Sequence, residues 1–237
     1  MPVRRDLQVI FQDPLSSLNP RMTVGEIVAE PLRVHQPDMT PDERRKAVGD
    51  MFERVGLRPE MAGRYPNEFS GGQAQRVSIA RAMILSPKVI VCDEPVSALD
   101  VSIQAQICNL LRKLQRETGV SLIFISHDLA IVRYMCQRVL VMYLGHVMEI
   151  ATRDSLFTRA LHPYSQALIG AVPEPDPDWP VAEATTLDGE LPSPMNPPSG
   201  CVFNTRCPKA IPHCISARPA LEDAAAEHRV ACHRWRE

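Results

Sequence analysis

The sequence predicts an α/β fold built on a parallel sheet, and two observations carry the prediction. Val89–Cys92 is an unbroken, mostly β-branched apolar run that ends on two adjacent carboxylates, Asp93 and Glu94. Such a run suits a strand buried on both faces, as parallel sheets require. Beyond it, Ile103, Ile107, Leu110, Leu111 and Leu114 mark a helical stripe over Val101–Thr118, which Gly119 ends. A second buried strand follows at Ser121–Ser126. Strand, helix and strand make a βαβ unit with a right-handed crossover.

The remaining elements follow in order. Leu7–Phe11 reads as a short strand stopped by Gln12-Asp13-Pro14. Thr23 with Glu26, and Thr40 with Glu43 behind Pro41, form capping-box pairs that open two helices. The second helix sets Ala47, Val48, Met51, Phe52 and Val55 on one face and stops at Gly56. Ser70-Gly71-Gly72 opens another helix that runs to about Leu85, where Ser86-Pro87 closes it. Val139–Tyr143 and Val147–Ile150 flank Leu144-Gly145-His146 and read as a hairpin at the sheet edge. His162-Pro163-Tyr164 opens a short helix, and Val172–Gly200, with eight prolines, reads as an extended connector.

Composition narrows the function classes. A chain of 237 residues with 45% hydrophobic content can hold one good core and an appendage. Aromatic content of 5% gives no base-stacking surface, and a net charge of −2 gives no steering toward nucleic acid or an anionic membrane. No apolar run reaches the roughly eighteen residues of a membrane span. The first residues lack the apolar segment of a signal peptide, so the chain is expected in the cytoplasm.

The chemistry gathers at strand ends. Carboxylates at the carboxyl end of a parallel strand sit where such sheets bind ligands. Asp93 can hold magnesium through oxygen, and Glu94 can polarise a water beside it. His127 ends the second strand of the βαβ unit, beside the expected place of Glu94. At Ser70–Gly72 a serine cap and two glycines leave helix N-terminal amides open toward phosphate. A solvated acidic turn and an ordinary Gly-Gly turn are the plain alternatives for these two stretches taken singly.

Taken together, the stretches resemble an ATP-binding-cassette (ABC) ATPase. Ser70-Gly71-Gly72-Gln73, followed by AQRVSIARA, resembles the signature motif, and VIVCDE the Walker B strand. Gln12 in VIFQDP resembles the Q-loop, Ser97-Ala98-Leu99-Asp100 the D-loop, and His127 in FISHD the switch histidine. Five short motifs in the right order are far more specific than any one of them. The resemblance implies a P-loop NTPase (RecA-like) core. Core strand and Q-loop fall in residues 1–20, a helical subdomain in 21–70, and signature helix, Walker B, D-loop and switch histidine in 71–158. It also implies ATP and Mg2+, with Asp93 holding the metal, Glu94 as base, Gln12 and His127 orienting water and γ-phosphate, and Asp100 coupling two sites. The signature would meet ATP held by an opposing subunit. The chain contains no G-x-x-x-x-G-K-S/T phosphate loop. It therefore reads as a subunit that begins part-way through its nucleotide domain.

Seven cysteines divide into two sets. Cys92, Cys108 and Cys136 lie in apolar periodic segments, as inert buried thiols do. Cys201, Cys207, Cys214 and Cys232, spaced C-x5-C-x6-C-x17-C, cluster in a tail with little apolar core of its own. Four thiols there argue for a metal staple. The spacing leaves zinc and iron–sulfur open, and His213, His228 or His233 could replace a ligand. The LHPY segment and this tail resemble the C-terminal extension of oligopeptide/dipeptide importer ATPases, here residues 159–237. That resemblance implies a 4Fe–4S cluster, with Zn2+ the alternative.

The whole resembles the second ATPase subunit of such importers. It implies a sister ABC ATPase subunit, two transmembrane permeases and an extracytoplasmic peptide-binding protein, with this subunit peripheral on the cytoplasmic face of the cell membrane. Two rival readings follow from the same residues. One is a non-catalytic remnant that lends its signature face to a sister subunit. The other is a DNA-repair ABC ATPase, against which the near-neutral charge and scarce aromatics count.

Overall fold

The computed structural model describes residues 3–171 and 190–236. The prolines of the connector before residue 190 lie outside the described residues. The chain forms two compact units, residues 1–128 and 129–237.

The first unit holds a three-stranded parallel sheet in the order β1-β2-β3. A short helix α1 (Val3–Asp6) leads into β1 (Leu7–Ile10), and Lys88 reaches back to Asp6 at 2.7 Å. Helices α2 (Val24–His35) and α3 (Pro41–Arg54) both begin on complete capping boxes at Thr23/Glu26 and Thr40/Glu43. Each box satisfies amides that a helix start otherwise leaves without partners. Val24, Ile27, Val28 and Leu32 of α2 and Val48, Met51 and Phe52 of α3 are buried. Helix α4 (Gly71–Met83), strand β2 (Val89–Asp93), helix α5 (Val101–Thr118) and strand β3 (Ser121–Ile125) complete the unit. The register sets Ile10 beside Cys92, Cys92 beside Phe124, and Asp93 beside Ile125.

The expectation that both strands of the βαβ unit are buried on both faces is corrected. Ile90 and Cys92 are fully buried, but Val89 and Val91 are only half-buried. On β3, Ile123 and Ile125 are 53% and 47% exposed. Burial alternates with the strand period, so one face of this sheet is covered within the chain and the other lies open.

The second unit starts with α6 (Leu129–Met135) and the hairpin β4 (Arg138–Tyr143) and β5 (His146–Thr152). Leu144 and Gly145 both have positive φ, 46° and 76°, which gives the hairpin a turn whose twist matches that of the strands. Helices α7 (Arg153–Thr158) and α8 (Pro163–Gly170) follow, then α9 (Pro212–Ser216), β6 (Glu222–Ala225) and β7 (His228–Val230). The hairpin is not the margin of the parallel sheet. It joins the tail strands in a separate four-stranded antiparallel sheet, order β4-β5-β7-β6. Sequence periodicity missed this because β6 and β7 are short and carry few apolar residues.

The tail also has the apolar core that its composition did not promise. Phe203 is fully buried, with Val202, Cys201, Cys214, Met148 and Tyr143 around it. Phe203 meets the rings of Tyr143 and Tyr164, both with centroids 5.3 Å away. Gly200 has φ +67°, and a Cβ on it would collide with the carbonyl oxygens of Cys214 and Ile215. Only glycine fits there, and the fit brings Cys201 and Cys214 together through a Cys201 N–H bond to the Cys214 carbonyl at 2.8 Å. Among the described residues no helix is long and apolar enough to cross a membrane.

Candidate functional sites

The first site is centred on Glu94. Strand β2 ends at Asp93, and Glu94 adopts the left-handed backbone region at φ 43°. A non-glycine residue held there costs of order 1–3 kcal/mol, and such strain concentrates at functional positions. The Glu94 amide donates to the Ile125 carbonyl of β3 at 3.0 Å, while Ser97 N–H and Oγ both donate to the Glu94 carbonyl. These bonds fix the backbone from two sides and leave the carboxylate at the carboxyl end of the sheet.

Two distant side chains meet that carboxylate. Gln12 Nε2 donates to Oε2 at 2.9 Å, and His127 Nδ1 lies 3.0 Å from Oε1. They arrive on the loops after β1 and β3, the strands that flank β2. The hydrogen bond from His127 is the main force holding the Glu94 carboxyl below its ordinary value. Asp93, exposed at the end of β2, completes the group. Ser97 was not singled out for this site in the sequence, since one serine in a turn carries no signal.

The signature stretch forms the start of α4. Ser70 caps the helix by accepting from the Gln73 amide, and Gln73 Oε1 accepts from the Ser70 amide at 3.1 Å. The two glycines serve different ends. Gly71 has room, since a Cβ added there would meet Leu99 Cδ2 first, at 3.4 Å. A Cβ on Gly72 would lie 2.6 Å from Ile103 Cγ2. Close packing against α5 therefore demands the second glycine, beyond any opening toward an anion. Asp100 caps α5, accepting from Ser102 Oγ at 2.7 Å and from the Ile103 amide at 3.0 Å, contacts that lower its carboxyl pKa. Signature and D-loop are thus joined through Ile103 and its helix.

The second site lies in the tail. Cys201, Cys207, Cys214 and Cys232 all line one cavity, together with His162 and His233. Burial foremost raises the thiols of Cys201 and Cys207 and pushes Cys232 up to about 11. Among the described residues no three His, Cys, Asp or Glu side chains close around a single point as a metal ion requires. His233 Nε2 is engaged with the Ala217 carbonyl at 3.1 Å, and the His213 ring lies tilted against that of His233 with centroids 4.3 Å apart.

His228 is removed from the set of alternative ligands. Its Nε2 lies 2.7 Å from Glu149 Oε1 and its Nδ1 2.9 Å from Ser155 Oγ, so both nitrogens are occupied. Glu149 is fully buried and also accepts the Leu161 and His162 amides at 2.7 and 3.0 Å. A buried carboxylate needs such satisfaction, and here it pins β5, β7 and the start of α8 together. Sequence reasoning missed this network, because a glutamate in a strand and a distant histidine give no local signal. His162, at the N-cap of α8, is 1% exposed, and burial lowers its pKa to about 4.

Similarities to known proteins follow both sites along the chain. Residues 2–97 match the ABC transporter family, and residues 148–214 match the oligopeptide/dipeptide transporter C-terminal region. The chain is 62% identical over 231 residues to the oligopeptide transport ATP-binding protein OppF of Escherichia coli strain K12, covering 97% of this chain and 69% of that protein. It is 54% identical over 233 residues to the putative oligopeptide transport ATP-binding protein YkfD of Bacillus subtilis strain 168, covering 98% and 71%. The solved structure of cbiO1 from Clostridium perfringens, part of the ABC transporter complex cbiONQ, aligns with a TM-score of 0.59 and 31% identity. That alignment covers 66% of this chain and 61% of the other. The chain belongs to the ABC transporter family, among its oligopeptide transport ATP-binding proteins.

Proposed function

We propose that this chain couples ATP hydrolysis to the uptake of oligopeptides or dipeptides, and that Glu94 is the base for the attacking water. The observation that carries the assignment is the meeting of Gln12 and His127 on the two oxygens of one carboxylate. A general base must be ionised and held within reach of its water. The bond to His127 holds the Glu94 carboxyl below its ordinary value, and the bond to Gln12 fixes its orientation. Asp93, one residue earlier, offers oxygen for magnesium, as the hard cation prefers. Phosphoryl transfer to water depends on placement and charge neutralisation more than on covalent chemistry. Ser70–Gln73 offers the N-terminal end of α4 to nucleotide on a sister ATPase subunit, and Asp100 links that face to the α5 helix. Two permeases, an extracytoplasmic peptide-binding protein and a peripheral place at the cytoplasmic face of the cell membrane complete the reading.

The test is Glu94→Gln in the assembled transporter, in a chain extended to carry the phosphate loop. ATP binding should persist while hydrolysis falls on the order of a hundredfold or more. Near-normal turnover would place the base elsewhere.

In the tail, Cys201, Cys207, Cys214 and Cys232 hold a 4Fe–4S cluster in this reading. Four thiols on one cavity fit the group, since iron–sulfur clusters take four cysteines. The preference for the cluster over zinc rests on the resemblance of this tail to the oligopeptide/dipeptide transporter C-terminal region. When bound, the cluster would supply a one-electron centre and a covalent staple. Anaerobically purified chain should be brown with about four irons. Colourless protein with one zinc would sink the cluster.

A further inference from the structure

The two ring nitrogens of His162 stand in different surroundings. Its Nδ1 accepts the Tyr164 amide at 3.0 Å. A backbone amide can only donate, so Nδ1 is bare and the ring proton sits on Nε2. The residue is 1% exposed and lines the cavity of the four cysteines. Among the described residues Nε2–H has no hydrogen-bond acceptor. An N–H without a protein acceptor is free to donate to what the cavity receives.

The ring is also held in place. The His162 amide donates to Glu149 Oε2 at 3.0 Å and the preceding Leu161 amide to Oε1 at 2.7 Å. His228, from the same sheet, approaches Oε1 at 2.7 Å. With backbone and Nδ1 both anchored, the imidazole has little freedom to turn away. Phe203, 5.8 Å between ring centroids, packs beside it.

We propose that His162 donates its Nε2–H to the sulfur shell of the cluster held by Cys201, Cys207, Cys214 and Cys232, and so sets its reduction potential. This rests on the cluster reading above. Adding an electron increases the negative charge on the sulfurs, and a fixed N–H donor stabilises that reduced form more than the oxidised one. Hydrogen bonds to cluster sulfurs are among the known determinants of potential. His162 is a positioning and tuning residue here, and no ligand role is assigned to it.

Two substitutions separate the roles of the two nitrogens. His162→Asn puts an amide oxygen near the place of Nδ1, which keeps the helix cap, and removes the Nε2 donor. His162→Gln puts an amide N–H near the place of Nε2, which restores the donor. In anaerobically purified full chain, dithionite titration followed by EPR should show a lower potential for His162→Asn. A tenfold loss in the ratio of reduced to oxidised cluster corresponds to 59 mV for one electron. His162→Gln should return most of the shift. Equal potentials in wild type and His162→Asn, at equal iron content, overturn the inference and leave the cluster standing. Iron-free wild-type protein overturns the cluster reading and the inference with it. If His162→Asn fails to hold iron, pulsed EPR of reduced 15N-histidine-labelled chain carrying His233→Gln decides. A histidine 15N coupling is expected, and its absence overturns the donor.

Discussion

His127 Nδ1 stands 3.0 Å from Glu94 Oε1, joining the ends of two neighbouring parallel strands through their side chains. This contact is the first cause of the lowered Glu94 pKa, ahead of the opposing effect of burial. The carboxyl should therefore titrate below its ordinary 4.5 in the folded chain. His127→Ala should move it back up, which 13C NMR of glutamate-labelled chain would follow. The linkage has a definite sign. A depressed folded value means the stabilisation is fully present above about 4.5 and is lost as pH falls through the folded value. An unchanged titration in His127→Ala would show that the contact does not govern the charge state of Glu94.

Gly72 gives a second prediction, because propensity and packing pull in opposite directions. Alanine for glycine in a helix ordinarily stabilises by about 0.5–1 kcal/mol. At Gly72 the new Cβ would lie 2.6 Å from Ile103 Cγ2. Overpacking of this kind costs typically 1–3 kcal/mol, so Gly72→Ala should destabilise the first unit in urea unfolding. Ile103→Ala removes the clashing methyl, and the double variant should recover part of the loss. Additive effects of the two changes would show that the clash is relieved elsewhere.

The tail supplies a third. Glu149→Ala leaves the Leu161 and His162 amides and His228 Nε2 without their acceptor inside a buried site. Leaving a buried donor without its acceptor costs about 1–3 kcal/mol for each group. Limited proteolysis should then cut the second unit much faster while residues 1–128 stay resistant. Unchanged cleavage would mean that the β5–β7 pairing holds without the carboxylate.

These sites differ in how far the sequence revealed them. Gln12, Glu94 and His127 sit at strand ends within recognisable short stretches, and the parallel sheet brings them together as its strand order requires. The capping boxes at Thr23 and Thr40 were legible because they are local, spanning four residues each. The open face of the sheet was not legible, since an apolar run reads the same whether one face is covered or two. Glu149 and His228 were invisible for a different reason. They lie 79 residues apart, and only the antiparallel pairing of β5 with β7 makes them neighbours.

The last prediction concerns nucleotide binding by the 237 residues taken alone. Asp93, Glu94, Gln12 and His127 address magnesium, water and the γ-phosphate, and none of them cradles the α and β phosphates. The sequence holds no G-x-x-x-x-G-K-S/T stretch whose amides and lysine would do so. The signature face is intact, with Ser70 and Gln73 reciprocally bonded and Asp100 capping α5 behind it. This polypeptide by itself should therefore bind Mg-ATP very weakly, while its signature face can still complete the site of a sister ATPase that carries the phosphate loop. Isothermal titration of the purified chain with Mg-ATP checks the first half. Saturable binding tighter than about 1 mM, roughly 4 kcal/mol of affinity, would overturn it. Mixing with the sister subunit checks the second, by comparing ATP turnover with wild-type chain and with Ser70→Ala. Stimulation by the wild type that Ser70→Ala diminishes is the expected result. Equal stimulation by both would show that the partner's nucleotide does not rest on this helix start.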